Sequence, residues 1–251
     1  MVVKKSLNPY AMPDKRIQLL STRPMTAAQL DNARKKGIDI TVQSFIETSA
    51  LQDVAVQQEI EWASVQETVV VFTSMNAVVA VTDMLDGHVP SWRIYCMGYA
   101  TQKLVTEYFG EASIAGTGAS ALELAETIIE EEEPDELIFF CGNIRREELP
   151  AKLSKQGITV HEICVYETLA TPHKTDKPFD GILFFSPSAA ESFFSNNTVP
   201  PETVLFAIGQ TTRDTVARFT NNKILVSKEP GKDEMVEQAV RYFSGGVRRE
   251  S

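Results

Sequence analysis

The chain is poor in residues that mark disulfide-rich and metal-binding proteins. Its 251 residues include three cysteines, none of them in a CxxC pair, and three histidines that lie far apart. An odd number of cysteines without paired spacing predicts no disulfide framework, and the spacing of cysteine and histidine predicts no zinc site. We therefore expect reduced thiols packed within strands and a function that uses no metal.

Long apolar runs and excess positive charge are also missing. No segment approaches the ~20 apolar residues that a membrane-spanning helix needs, and no signal peptide is apparent at the start. A net charge of −10 does not provide the cationic surface that nucleic acids require. These absences favour a cytoplasmic protein with a small-molecule ligand and no nucleic-acid or membrane partner. An acidic ligand would have to be held locally, by arginines or by backbone N–H groups at helix starts.

The sequence contains an internal repeat. Three segments recur in the same order and at nearly constant spacing, with Gly37–Thr48 returning as Gly157–Thr168, Phe72–Ala77 as Phe184–Ala189, and Ile94–Thr101 as Leu205–Thr212. Repeated order and spacing indicate two copies of one α/β unit, and a pair of similar lobes suggests a ligand between them.

Short apolar runs alternate with amphipathic segments along the whole chain. Runs that are apolar on both faces, each followed by a helix, predict parallel sheets covered by helices on both sides. The predicted strands are residues 17–21, 38–43, 69–73, 93–97, 137–141, 158–163, 181–185, 204–208 and 224–227. The predicted helices are residues 27–36, 76–85, 101–109, 121–132, 147–156, 189–195, 211–219 and 232–243.

Six turns that follow predicted strands share small, hydroxyl-bearing residues. They are residues 21–24, 73–76, 98–101, 141–146, 186–189 and 209–212. Ligands of open parallel sheets bind beyond the carboxyl ends of the strands, where such turns lie. Any one of them is explained by ordinary helix capping. Six of them in two copies, with three arginines (Arg23, Arg145 and Arg146), favour a site for several carboxylates or phosphates.

One segment suggests a different function. Gly116–Ala121 fits the pattern GxGxxA, which in some folds binds a dinucleotide. The pattern falls late in its copy, and the matching segment of the other copy, Ser227–Lys232, lacks it. A nucleotide-dependent enzyme therefore stays an alternative interpretation.

Five segments together resemble a known family. Phe72–Val78, Cys141–Glu147, Val165–Thr168, Phe185–Ala189 and Ala207–Thr212 are similar, in that order, to motifs of the uroporphyrinogen-III synthases. The resemblance runs over about residues 16–243. It implies an α/β fold of two similar doubly wound parallel-sheet domains, the first discontinuous in sequence, joined by a two-stranded linker. The implied domains are residues 1–42 with 169–251, and residues 48–162, with linkers at residues 43–47 and 163–168.

The resemblance also implies a reaction. Uroporphyrinogen-III synthases are lyases of porphyrin and heme biosynthesis that cyclise hydroxymethylbilane, a linear tetrapyrrole with carboxylates on every ring. Loss of water from ring A gives an azafulvene, ring D attacks through its substituted carbon, and the spiro intermediate fragments and recloses with ring D inverted. A cytoplasmic monomer that needs no cofactor is expected. The alternative is a non-catalytic, two-lobed module of the same fold that binds small anions or has a regulatory role.

Residue roles follow from the same resemblance. Tyr166 is the expected proton donor to the leaving hydroxyl, because a tyrosine with an ordinary pKa of about 10 is protonated at neutral pH. Its counterpart in the repeat is Ile46, so the two copies differ here. The alternative is that Tyr166 packs a linker strand against a domain. Substrate contacts are expected at Thr101, Thr212, Ser74, Ser186, Ser188, Arg23, Arg145 and Arg146.

Overall fold

A computed structural model of the chain describes residues 16–229 and 231–246. Residues 1–15, 230 and 247–251, which the predicted first domain includes, lie outside the described residues. Contacts between α-carbons divide the chain into two compact units, Met1–Glu47 with Ala170–Ser251 and, separately, Thr48–Leu169. Each unit contains a sheet dominated by parallel strands with helices packed on it, which confirms the predicted α/β fold class.

The elements alternate along the chain as strand and helix. The strands are β1 (Ile17–Ser21), β2 (Ile38–Val42), β3 (Ile46–Ala50), β4 (Val69–Phe72), β5 (Arg93–Met97), β6 (Ile114–Gly118), β7 (Glu136–Gly142), β8 (Thr159–Ala170), β9 (Gly181–Phe184), β10 (Val204–Ala207) and β11 (Ile224–Val226). The α-helices are α1 (Ala27–Lys35), α2 (Val54–Ser64), α3 (Met75–Leu85), α4 (Tyr99–Phe109), α5 (Ala121–Glu131), α6 (Glu148–Lys155), α7 (Pro187–Asn196), α8 (Gln210–Ala217) and α9 (Lys232–Gly246).

The first unit contains a five-stranded sheet in the order β11-β10-β9-β1-β2, and every neighbouring pair is parallel. Successive residues of β1 face opposite sides. Leu19 packs with Met235 of α9, and Leu20 packs with Phe193 of α7. Because both faces are covered by helices, the inner strands β9 and β10 are apolar throughout. Because all five strands are parallel, their carboxyl ends share one edge.

The second unit contains a six-stranded sheet in the order β3-β8-β7-β4-β5-β6. Strands β8, β7, β4, β5 and β6 run parallel. The edge strand β3 runs antiparallel to β8, because Leu51 N–H donates to Val165 O while Thr48 lies opposite Thr168. Both boundaries between the units fall within these two strands. The structure therefore assigns residues 163–168, a predicted linker, to the long strand β8.

The sequence predictions omitted three elements. Strand β3 lies at an edge and is mostly exposed, so it lacks an apolar run. Strand β6 is short and contains two glycines, which also weakens the pattern. Helix α2 starts at a recognisable cap, because the Asp53 side chain accepts a hydrogen bond from Ala55 N–H at 2.7 Å. Within the described ranges, no helix combines the length and the apolar character needed to cross a bilayer.

Candidate functional site

The carboxyl ends of the parallel strands in the second unit surround a cavity. Its volume is about 320 Å³, and its polar lining comes from the turns after β4 and β7, from the start of α5 and from β8. Four of the predicted site residues line it: Ser74, Arg145, Arg146 and Tyr166. Apolar side chains of Met97, Phe139 and Leu149 complete the wall. The cavity thus has the mixed lining of a small-molecule site.

A β-bulge places Tyr166 at this cavity. In the pairing of β7 with β8, Cys141 lies opposite Cys164 and Gly142 opposite Tyr166, so Val165 is the extra residue. Bulges commonly redirect a side chain beside a functional site. Here the ring lies over Gly142, where an added Cβ would come 2.5 Å from Cε2 and 2.8 Å from the hydroxyl oxygen of Tyr166. Only glycine leaves room for this ring.

The environment of Tyr166 keeps its hydroxyl protonated. Burial of the ring raises the pKa of the phenol, and the nearby Ser74 side chain opposes part of that rise. A pKa above the ordinary value of about 10 leaves the phenol neutral at physiological pH. Tyr166 can therefore donate a proton to a group bound in the cavity.

Ser74 has a structural role in addition to its position at the cavity. It is the N-cap residue of α3, and its Oγ accepts a hydrogen bond from Asn76 N–H at 3.1 Å. A hydroxyl that accepts from the helix still has its own proton to donate. Ser74 thus caps α3 and has a hydroxyl proton left for a group bound in the cavity.

The two arginines of the cavity differ in availability. Arg145 donates to Glu147 at 2.5 Å and to Glu162 at 2.9 Å, and the hydrogen bond to Glu147 is the main cause of its raised pKa. Arg146 is about half exposed and lies 3.9 Å from Glu148, which is a weak, solvent-screened pair. Of the two, Arg146 is the cation that is better able to meet an incoming carboxylate.

Thr101 and Thr212 occupy equivalent positions in the two units. Each lies in the first turn of a helix, α4 or α8, and is almost fully buried, with 5% and 3% exposure. The caps are Gly98 and Gly209, and neither helix start has a side-chain hydrogen bond. First-turn N–H groups without a side-chain acceptor are suited to binding an anion.

The predicted site residues of the first unit lie at the carboxyl edge of its sheet. Ser186 caps α7 by accepting from Ala189 N–H at 3.1 Å, and its Oγ lies 3.2 Å from that of Ser188. Arg23 is exposed in the turn after β1, which Ser21 closes by donating to the Arg23 carbonyl at 2.7 Å. Ser186 is therefore occupied in capping and Ser188 contacts it, whereas the Arg23 side chain is exposed.

The glycine-rich segment 116–121 has a packing explanation. A Cβ at Gly118 would come 2.5 Å from the backbone nitrogen of Leu124, and one at Gly116 would come 2.5 Å from the Tyr95 ring. At the start of α5, the Ser120 hydroxyl and the Glu123 carboxylate accept the N–H groups of Glu123 and Ala119. A carboxylate already at this helix start disfavours a second anion there, so the structure does not favour a dinucleotide.

Two features of the site were missed from the sequence. Gly142 was predicted only as part of a turn, because its contact with Tyr166 depends on the pairing of distant strands. Lys232 was predicted only as the first residue of a helix, although it lies beside the turn that contains Arg23. Among the residues that the structure describes, no cluster of three or more His, Cys, Asp or Glu side chains could hold a metal ion.

Comparison with known proteins identifies the family. A family model described as uroporphyrinogen-III synthase HemD matches residues 26–237. Among solved structures, a mutant uroporphyrinogen III synthase from Thermus thermophilus is similar, with a TM-score of 0.65 and 13% identity over 93% of this chain and 100% of that one. The uroporphyrinogen-III synthetase of Helicobacter pylori has a TM-score of 0.61 and 17% identity over 90% and 99%. At these identities, the structural matches show the fold.

Proposed function

The chain belongs to the uroporphyrinogen-III synthase family, and we propose that the cavity at the carboxyl edge of its six-stranded sheet carries the proton transfer of that family's reaction. The enzyme cyclises hydroxymethylbilane to uroporphyrinogen III, with loss of water and inversion of ring D. The observation that carries the assignment is the family match across residues 26–237. The placement of a partly buried, protonated Tyr166 at the cavity supports the site.

Tyr166 acts as the general acid of the first step. The hydroxyl on the terminal carbon of ring A leaves as water once it receives a proton, and the pyrrole nitrogen supplies the electrons that form the azafulvene. A phenol with a raised pKa is neutral before the step, and the apolar wall of Phe139 and Met97 limits competing protonation by solvent. Ser74 lines the same cavity, and its side chain offsets part of the rise in the pKa of Tyr166.

The steps that form and break carbon–carbon bonds depend more on how the substrate is positioned than on additional acid or base catalysis. Ring D attacks the azafulvene through its substituted carbon, and the spiro intermediate then fragments and recloses. Holding the substrate in the folded geometry converts closure into a favoured intramolecular step. The N–H groups at the starts of α4 and α8, together with Arg146, would each bind carboxylates of the tetrapyrrole.

The test of this function is direct. Purified protein is supplied with enzymatically made hydroxymethylbilane, the products are oxidised to uroporphyrins, and isomers I and III are separated. We expect isomer III, whereas isomer I alone would contradict the proposal and favour the non-catalytic anion-binding module. The same preparation tests the proposed cofactor-free monomer, by its absorbance spectrum and by its mass in size-exclusion chromatography with light scattering.

A further inference from the structure

Two cations from distant parts of the sequence meet in the first unit. Arg23 lies in the turn after β1, and Lys232 begins α9, which follows β11. The Nζ of Lys232 donates a hydrogen bond of 2.6 Å to the carbonyl of Pro24, the residue next to Arg23. Strands β1 and β11 belong to the same parallel sheet, so both cations lie at its carboxyl edge.

Neither cation has an acidic partner in the described part of the chain. Every other arginine there forms an ion pair, namely Arg16, Arg34, Arg93, Arg145, Arg146, Arg213, Arg218 and Arg241. Among the described residues, no carboxylate oxygen lies within 4.0 Å of the Arg23 guanidinium or the Lys232 ammonium. The hydrogen bond of Lys232 goes to the carbonyl of Pro24. In a protein of net charge −10, Arg23 is thus the one arginine of the described residues that forms no ion pair, and the Lys232 ammonium bonds to the residue next to it.

The two cations interact unfavourably in the absence of an anion. Burial and the nearby charge of Arg23 lower the pKa of Lys232, and the carboxylate of Asp233 only partly opposes this. Asp233 is itself occupied, because it accepts a hydrogen bond from Gln29 Nε2 at 2.9 Å. A bound anion would relieve the repulsion and restore the solvation that the Lys232 ammonium has lost.

We propose that Arg23 and Lys232 together bind one carboxylate of the linear tetrapyrrole. An ammonium has three donors, and the carbonyl of Pro24 uses one, so two remain for a ligand. A guanidinium offers a fork that can hold a carboxylate through two hydrogen bonds. The carbonyl of Pro24 fixes the lysine beside the arginine before the substrate arrives. The inference rests on the proposed function, because the carboxylate is that of hydroxymethylbilane.

A purely structural role for Lys232 predicts a different outcome. If its hydrogen bond to Pro24 only tethers α9, replacing the lysine would lower the free energy of unfolding and leave the KM unchanged. If it binds a carboxylate, the KM rises while kcat is retained, because the contact contributes to binding and takes no part in the proton transfer. The two roles are thus separable by steady-state kinetics combined with thermal unfolding.

The experiment compares Lys232→Gln, Lys232→Arg and Arg23→Gln with the unchanged protein. We expect Lys232→Gln and Arg23→Gln each to raise the KM for hydroxymethylbilane about tenfold, as for loss of a hydrogen bond to a charged group. The conservative Lys232→Arg should recover most of the affinity. The matched control is Lys228→Gln, which removes the same charge from an exposed position in the preceding loop and should leave the KM unchanged.

Two results would overturn the proposal. The first is a KM that stays unchanged in both Lys232→Gln and Arg23→Gln while the unchanged protein makes isomer III. The second is an equal rise in KM for Lys228→Gln, which would indicate a general effect of net charge. Should Lys232→Gln fail to fold, Arg23→Gln carries the test, because the Arg23 side chain is exposed. Failure of the unchanged protein to form isomer III would instead contradict the proposed function.

Discussion

The ring of Tyr166 lies against the α-carbon of Gly142, at a point where any larger residue would overlap it. This contact depends on the bulge at Val165, which brings Gly142 and Tyr166 into register. Glycine is needed here for close approach and not for backbone conformation, because its φ is not in the positive range. The contact holds the proposed acid at the wall of the cavity.

Replacing Gly142 with alanine should therefore displace Tyr166. We expect a loss of about 1–3 kcal/mol in the free energy of unfolding, as for other overpacked sites. We also expect kcat to fall in protein that is still folded, because the proposed acid is displaced. Chemical denaturation and initial rates measure the two effects. Gly231→Ala is the control, because an added Cβ there meets nothing within 4 Å. Wild-type kcat in Gly142→Ala would show that the ring position is not critical.

Removing the hydroxyl of Tyr166 tests its role as proton donor. Tyr166→Phe keeps the ring and its packing, so the fold should be retained while kcat falls by about 100-fold, the lower range for general acid catalysis. Tyr108→Phe, at an exposed position of α4, is the control. An unchanged rate in Tyr166→Phe would assign this residue to packing. Initial rates at saturating hydroxymethylbilane give the comparison.

The pH dependence of the rate should reflect the raised pKa of Tyr166. The active form of a general acid is protonated, so its contribution is complete below the pKa and is lost as the pH rises through it. Because burial moves that pKa above the ordinary value of about 10, we expect no loss from this group below pH ~10. A kcat profile, with circular dichroism at each pH, measures this. If kcat fell with a pKa near neutrality, and Tyr166→Phe abolished that fall, the raised pKa of Tyr166 would be contradicted.

Ser186 permits capping and substrate binding to be separated. Ser186→Ala removes the acceptor for Ala189 N–H and should lower the free energy of unfolding by about 1 kcal/mol. Ser186→Asp keeps an acceptor and should retain stability, but its negative charge would repel a carboxylate of the substrate and raise the KM. Thermal unfolding and steady-state kinetics check both variants. An unchanged KM in Ser186→Asp would place this turn away from the substrate.

The sequence predicted the elements of the sheets better than their edges. Buried strands such as β4 and β9 are apolar on both faces and are short runs between turns, so their pattern is visible locally. Edge strand β3 is polar and exposed, and its assignment depends on pairing with β8. The internal repeat correctly related the starts of α4 and α8, because both copies keep a glycine before the helix.

The sequence by itself determined the α/β class, the family and which turns hold hydroxyls and arginines, because periodicity and motifs are properties of neighbouring residues. Only the tertiary structure decided which of these side chains are free to contact a ligand and which are held by other residues. It paired Arg145 with Glu162, brought Tyr166 over Gly142 through a bulge, and set Lys232 beside Pro24. Strand register and ion pairing join residues that are far apart in the chain, so no local pattern records them.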